Sequence, residues 1–136
     1  MKMNKQRGVT MIELLIVVAV IGIIAAIAYP SYTDHILKSH RNQAMADMMK
    51  IQLTLEEEYN NSGNYNKSIV KNGTCAFCES DPNRYQLSVD KTGSGQNVYI
   101  VSAIPQKKSG QDKDTCGTLS LNAAGMGSAS GSSNCW

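Results

Sequence analysis

Residues 9–29 read VTMIELLIVVAVIGIIAAIAY, a run of twenty-one residues in which Glu13 is the single charged side chain. An α-helix of this length spans about 31 Å, which matches the roughly 30 Å hydrocarbon core of a bilayer. Three basic residues, Lys2, Lys5 and Arg7, precede the run. Because basic flanks stay on the cytoplasmic side, the pattern predicts that the run enters a membrane and that the rest of the chain is exported.

Glu13 distinguishes two interpretations of this run. An ordinary secretory signal would be cleaved after the apolar residues, and residues 25–28 (AAIA) offer a small-residue site of that kind. A carboxylate at bilayer depth costs about 3 kcal/mol and is rarely kept without a purpose. Thr10 and Glu13 have the spacing of a capping box, which explains why the charge is tolerated but not why it lies inside the run. The sequence therefore favours a retained helix with a functional glutamate.

The residues that flank and begin the run carry a family resemblance. Positions 7–13 read RGVTMIE and positions 29–32 read YPSY. Together with the apolar run, they resemble the class III signal of type IV prepilins over residues 5–32. The resemblance implies cleavage between Gly8 and Val9, methylation of the Val9 amine, and a role for Glu13 in assembly, although the family most often has Phe where this chain has Val9. The implied parts are a leader (1–8), a transmembrane and filament-core helix (9–30), and a globular pilin domain (31–136).

The implied role of Glu13 agrees with its chemistry. A buried carboxylate is costly alone and much less so when it faces an ammonium group. The amine of Val9 in the same chain lies about 6 Å along the helix, so a neighbouring subunit is the better partner. The resemblance therefore implies four partners: other pilin subunits through the N-terminal helix, the prepilin peptidase, the pilus assembly machinery, and the inner membrane before assembly. The expected final location is an extracellular pilus of a Gram-negative bacterium.

The chain beyond Pro30 has the pattern of an α+β domain. Apolar residues recur at helical spacing, which predicts one helix from residue 9 to residue 60, bent at Pro30. The stripe consists of Ala44, Met48, Ile51, Leu55 and Tyr59. Polar residues, Arg41 among them, are expected on the other faces of this helix, and Met45, Met48 and Met49 are expected to fill the core.

Three later segments have the pattern of strands, after a loop region at residues 61–83. Residues 85–89 alternate between apolar and polar, residues 98–104 are nearly all apolar or small, and residues 118–121 follow a Cys-Gly pair. They predict an antiparallel sheet of three or four strands packed on the helix, an α+β domain. The family resemblance implies that this domain has the pilin fold. The Gly/Ser-rich residues 125–133 resemble a linker, but Cys135 and Trp136 follow them and are expected to tether this tail.

Four cysteines, Cys75, Cys78, Cys116 and Cys135, admit a zinc site or disulfides. The first two form half of a zinc knuckle, but the last two are too far apart for the other half. Disulfides fit an exported domain, and three pairings are possible. The chain end resembles PilE-type minor pilins, in the CGTLSLN sequence from residue 116 and the terminal Cys-Trp. This resemblance implies a Cys116–Cys135 bond, which leaves Cys75 to pair with Cys78.

Composition and motifs bound the function. The net charge is +2, but ten basic residues face eleven acidic ones once the three before the apolar run are set aside, so overall charge does not indicate nucleic-acid binding. No enzyme motif is recognised, and we predict no cofactor and no metal. Lys107, Lys108 and Lys113 are interpreted as a solvated tip that Asp112 and Asp114 balance. The alternative is DNA contact, because some pilins of this kind bind DNA during uptake.

The resemblance thus implies a minor pilin of a type IV pilus that serves adhesion, twitching motility or DNA uptake. Three alternatives stay open: a DNA-binding pilin, a major pilin, and a pseudopilin of a type II secretion machine.

Overall fold

The computed structural model describes residues 8–91, 93–132 and 134–136. The expected leader, with its three basic residues, lies outside this part of the chain except for its last residue, Gly8. The elements are one helix, six strands and four short 3-10 helices in the described residues. The helix and strands are α1 (Met11–Ser62), β1 (Val70–Lys71), β2 (Thr74–Cys75), β3 (Tyr85–Asp90), β4 (Ile100–Pro105), β5 (Leu119–Asn122) and β6 (Gly127–Ala129). The contacts divide the chain into two units. The first ends at His35, and the second extends from Ile36 to Trp136.

The first unit consists of the apolar part of α1. Pro30 lies inside this helix, and the Thr33 hydroxyl donates a hydrogen bond to the Pro30 carbonyl at 2.8 Å. The bend that we expect at Pro30 stays a prediction. The C-terminal end of α1 lies in the second unit, where Gly63 takes a left-handed conformation (φ 74°) and its N–H donates to the Tyr59 carbonyl. The helix therefore ends just before this glycine, at Ser62, two residues beyond the predicted end at residue 60.

The second unit is an α+β domain built on an antiparallel sheet. Its four strands have the order β3-β4-β5-β6, so neighbours in the sequence are neighbours in the sheet. The register aligns Leu87 with Ala103 and Val101 with Leu121. These four side chains are buried. For Leu87, which lies in β3, the alternating apolar pattern of the strand predicts this burial.

The core lies between the helix and the sheet within this unit. Ala44, Met48, Ile51 and Leu55 are fully buried on one face of α1, and they pack in one cluster with the inward residues of β3, β4 and β5. The predicted α+β fold is therefore confirmed, and so is the predicted helical stripe from Ala44 to Leu55. Burial of such side chains is worth about 1.5–3 kcal/mol each.

The stripe is shorter than expected, and one methionine lies outside the core. Met49 is 53% exposed and Tyr59 is 44% exposed. Successive helical residues are rotated by about 100°, so Met49 cannot share the face of Met48. The prediction that Met49 fills the core was wrong, whereas Met48 is buried and Met45 packs against the core from its edge.

Two segments have more structure than their composition suggests. The predicted loop at residues 61–83 contains the small hairpin of β1 and β2, which pairs Val70 with Cys75. The glycine- and serine-rich tail contributes strand β6, which pairs with β5. Hydrogen bonds to β5 hold this tail without the apolar alternation that predicts a strand.

The end of the tail is attached to the sheet. A disulfide joins Cys116 to Cys135, which confirms the pairing that the family resemblance implies. Trp136 then packs over Gly127 in β6, and its indole N–H donates to the Ser128 carbonyl at 2.7 Å. Any side chain at Gly127 would overlap the indole ring, so this position accommodates only glycine without rearrangement.

Candidate functional site

The first candidate site is the start of α1. The Glu13 carboxylate accepts hydrogen bonds from the Thr10 backbone N–H and from the Thr10 hydroxyl, both at 2.8 Å. The Glu13 N–H donates in return to the Thr10 hydroxyl at 3.3 Å. This reciprocal pair is a capping box, and it holds the carboxylate beside the first turn of the helix. Gly8 and Val9 are exposed just before it.

The helix that follows is apolar and uncovered. Every residue from 8 to 32 is exposed, and the segment is long and apolar enough to cross a membrane. A continuous apolar surface of this size marks a contact with lipid or with other protein. The geometry therefore suits a helix that leaves a bilayer for a bundle of similar helices.

The second candidate site is the lysine loop, which we define as residues 106–115. Two short 3-10 helices, Lys107–Ser109 and Gln111–Lys113, form this loop, and Gly110 joins them with a φ of 76°. The side chains of Lys107, Lys108 and Lys113 are exposed. The structure thus gathers all three predicted lysines in one loop.

Asp114 does not balance these lysines as expected. It is 6% exposed, and its carboxylate accepts from Arg41 Nη1 at 2.6 Å, from the Tyr85 hydroxyl at 3.1 Å and from the Cys116 N–H at 3.1 Å. The expectation that Asp114 lies in solvent was wrong: the carboxylate is buried, and a hydrogen-bonded counter-charge offsets the cost of removing it from water. Asp112 is the acidic residue of the loop that remains exposed.

Arg41 corrects a second expectation. Its side chain is 12% exposed and points inward, although the helical pattern assigns it to a polar face. One guanidinium nitrogen contacts both Asp114 and the Cys116 sulfur, at 2.8 Å from the latter. The ion pair therefore joins α1 to the lysine loop and to the disulfide.

Gln111 and Tyr85 complete this buried group. Gln111 is fully buried, and its amide donates to the Leu37 carbonyl at 3.0 Å and to the Tyr85 hydroxyl at 3.3 Å. Burial raises the pKa of Tyr85 to about 12, and the neighbouring Asp114 contributes to the same shift. The phenol therefore stays protonated and donates to the Asp114 carboxylate.

A second loop is held to the helix in a similar way. Asp47 is fully buried, and one carboxylate oxygen accepts from the Glu79 N–H, the Ser80 N–H and the Ser80 hydroxyl at 2.9, 2.7 and 2.6 Å. This contact follows directly after a disulfide between Cys75 and Cys78. The result is a fixed loop whose tip carries the half-exposed Phe77.

All four cysteines are in disulfides, so none of them is a thiolate that could bind zinc. Within the described residues, no cluster of three or more His, Cys, Asp and Glu side chains could hold a metal ion.

Sequence reasoning missed Asp47, Gln111 and the inward role of Arg41. The partner of each is 32 or more residues away along the chain. Two positions gave a local signal: Arg41 lies three residues before Ala44, the first residue of the buried stripe, and Asp47 lies three residues after it.

The fold and the N-terminal helix are those of a type IV pilin. A solved type IV pilin from Shewanella oneidensis shares the fold, with a TM-score of 0.51 and 23% identity over 74% of this chain and 97% of that one. The sequence model of a protein family, described as prokaryotic N-terminal methylation motif, matches residues 3–29. A second model, described as type IV minor pilin ComP, DNA uptake sequence receptor, matches residues 30–120. The chain belongs to this pilin family.

Curated relatives support the same assignment. Fimbrial protein EcpC of Eikenella corrodens is 33% identical over 85% of this chain and 73% of its own length. A fimbrial protein of Pseudomonas aeruginosa is 33% identical over 96% of this chain and 74% of its own length. The chain matches 65% of the length of the type IV major fimbrial protein FimA of Dichelobacter nodosus, at 32% identity, and 38% of a Moraxella nonliquefaciens fimbrial protein.

Proposed function

We propose that this chain is a minor pilin, a structural subunit of a type IV pilus. The observation that carries the proposal is the uncovered apolar helix, which begins at the Thr10–Glu13 capping box and continues into a folded α+β domain. A secretory signal would be discarded, whereas a retained helix of this kind needs a membrane or neighbouring helices to cover it. The minor pilin family model favours this function over a major pilin or a type II secretion pseudopilin.

Processing and assembly follow from the same residues. Removal of residues 1–8 by a prepilin peptidase leaves a free amine on Val9, which becomes methylated. Glu13 then offers its carboxylate to the Val9 amine of a neighbouring subunit as the helices pack together. Pairing of the two charges offsets the cost of burying each one. The subunit lies in the inner membrane first and in an extracellular pilus afterwards.

Mass spectrometry of the mature chain and quantification in sheared filaments test this proposal. The mature chain should begin at Val9 with an added methyl group. Glu13→Ala should insert into the membrane at least as well as the parent but fall in filament incorporation, because the partner amine loses its counter-charge. Glu57→Ala, which removes an exposed carboxylate from the second unit, is the matched control. A mature N-terminus near Tyr29, or normal assembly of Glu13→Ala, contradicts the proposal.

A second function, contact with DNA, is favoured by the lysine loop. Its exposed side chains carry three positive charges against one negative charge, because Asp114 is withdrawn into the domain. Lysines at a protein surface bind phosphates and release counterions, which makes the affinity depend on salt. The family model that matches residues 30–120 is described as a DNA uptake sequence receptor, which supports the same function here.

The test compares duplex DNA binding at several salt concentrations. Replacement of Lys107, Lys108 and Lys113 by Ala should weaken binding and reduce the salt slope by up to about 0.9 for each lost phosphate contact. A triple Ala variant of the exposed Lys38, Lys67 and Lys71 removes the same charge elsewhere. An equal loss in both triple variants contradicts a contact at the lysine loop.

A further inference from the structure

A buried ion pair joins the lysine loop to α1. Arg41 in α1 contacts Asp114 at 2.6 Å and the Cys116 sulfur at 2.8 Å, and the two ionised side chains are 12% and 3% exposed. The loop is also attached one helical turn earlier, where Gln111 donates to the Leu37 carbonyl. Two successive turns of one helix thus fix the second half of the loop.

This attachment separates the charges of the loop. Gln111 and Asp114 are three residues apart, so they lie on one side of a 3-10 turn, and both side chains are buried. The residues between them, Asp112 and Lys113, are exposed. The buried side therefore holds the carboxylate that would otherwise neutralise part of the lysine surface.

We propose that Arg41 is a positioning residue for the lysine loop: by holding Asp114 inside the domain, it fixes the loop backbone and keeps the exposed face net positive. This inference rests on the proposed DNA contact for its functional consequence, but its structural part stands on the Arg41–Asp114 contact alone. Arginine suits the position because its planar guanidinium can serve two acceptors at once.

The first measurement is hydrogen exchange in the full chain in detergent. The N–H groups of Gly110, Lys113 and Asp114 donate to carbonyls within the loop, so they report its order. In Arg41→Met we expect these three amides to exchange at least tenfold faster, while the amides of β3 and β4 change less than twofold. Arg41→Lys should restore part of the protection because the charge remains.

The second measurement is the salt slope of duplex DNA binding for the same variants. Arg41→Met should lose as much slope as the triple lysine variant, and Arg41→Lys should recover part of it. Because Arg41→Met deprives Asp114 of its counter-charge, the double variant Arg41→Met with Asp114→Asn is included. It removes both buried charges, so it should still lose loop protection, but its slope should fall less than that of Arg41→Met because no carboxylate can reach the lysine surface. Asp47→Asn is the matched control, since it loosens a different loop and should keep the parental slope.

The outcomes separate this inference from the proposed function. Parental exchange at Gly110, Lys113 and Asp114 in both variants that lack Arg41 overturns the positioning role, as does equal acceleration across the whole sheet. If the triple lysine variant keeps the parental slope, the DNA contact fails, and the exchange data still decide the role of Arg41. If the lysines matter but the variants without Arg41 bind like the parent, the positioning role alone fails.

Discussion

Buried carboxylates fix two loops of the second unit. Asp47 on α1 accepts three hydrogen bonds from Glu79 and Ser80, and Asp114 in the lysine loop accepts from Arg41, Tyr85 and Cys116. One carboxylate thus reaches from the helix to a loop, and the other reaches from a loop to the helix. Neither loop has enough apolar side chains to hold itself against the domain, so polar contacts do this work.

Asp47→Ala should be strongly destabilising, because it leaves the donors of Glu79 and Ser80 without their acceptor in a buried place. We expect a loss of about 3 kcal/mol in the free energy of unfolding. Asp90→Asn, at the exposed end of β3, should change it by less than about 0.5 kcal/mol. Chemical denaturation of residues 31–136 compares the two, and similar midpoints would contradict the role given to Asp47.

Tyr85 predicts a dependence of stability on alkaline pH. Burial raises the pKa of this phenol to about 12, whereas an unfolded tyrosine has a pKa near 10. Between these values the unfolded chain loses a proton that the folded chain keeps, so the stabilisation is complete below pH 10 and disappears toward pH 12. The free energy of unfolding should therefore fall by about 1.4 kcal/mol per pH unit from this group.

Tyr85→Phe isolates this effect from the lysines and the other tyrosines. It lacks the ionisable group, so its stability deficit relative to the parent should shrink as the pH rises from 10 to 12. Denaturation curves at several pH values measure the difference. A deficit that stays constant over this range would show that the Tyr85 hydroxyl is not buried as described.

At the scale of elements, local patterns were sufficient for the core and insufficient for its attachments. The stripe through Met48 and Leu55 and the alternation in β3 depend on neighbouring residues alone, so the sequence predicts them. Strand β6 could not be predicted, since Gly127–Ala129 has no apolar alternation and pairs only because β5 offers a free edge. Asp114 was misassigned for a related reason: its partner, Arg41, is 73 residues away.

The Cys116–Cys135 bond is expected to contribute a large share of the stability of the C-terminal tail. Replacing both cysteines by Ser removes the closure of a loop of about twenty residues, which costs roughly 3 kcal/mol in the chain-entropy model. The melting temperature should fall and β6 should become open to protease. The Cys75–Cys78 pair closes a much shorter loop, so its double Ser variant should cost roughly 2 kcal/mol and leave the tail protected. Protection of β6 in the Cys116/Cys135 variant would contradict the clamp.

Gly127 and Trp136 form a second attachment that a double-mutant cycle can measure. Gly127→Ala should cost about 1–3 kcal/mol because the new methyl group overlaps the indole ring. In a Trp136→Ala background the same change should be nearly neutral, since the space is free. Equal costs in both backgrounds would mean that the indole does not cover Gly127.

At the scale of the whole molecule, one chain combines a helix that cannot remain in water with a domain that can. The helix of the first unit exposes its apolar side chains, and the second unit buries its own core. The sequence foretold this contrast, because an unbroken apolar run and an amphipathic stripe are both visible without a structure. It could not foretell the net charge of the lysine loop, which depends on a tertiary contact.

Fractionation of cells should therefore distinguish the full chain from residues 31–136 produced alone. The full chain should stay with the membrane after alkaline extraction, and residues 31–136 should be soluble and monomeric. A full-length variant with Val17→Lys and Ile21→Lys should lose membrane retention, because each charge costs about 3 kcal/mol at bilayer depth. Aggregation of residues 31–136 would contradict the self-contained core.

Trp136 is the only tryptophan of the chain, and it lies at its last position, 36% exposed against β6. Its fluorescence therefore has a single source, placed next to the disulfide that closes the tail. Release of Cys135 would move the indole into water and shift its emission to the red, even if the core stayed folded. The protein thus carries an intrinsic optical reporter of how well its C-terminal tail is closed, readable without a label in the purified chain.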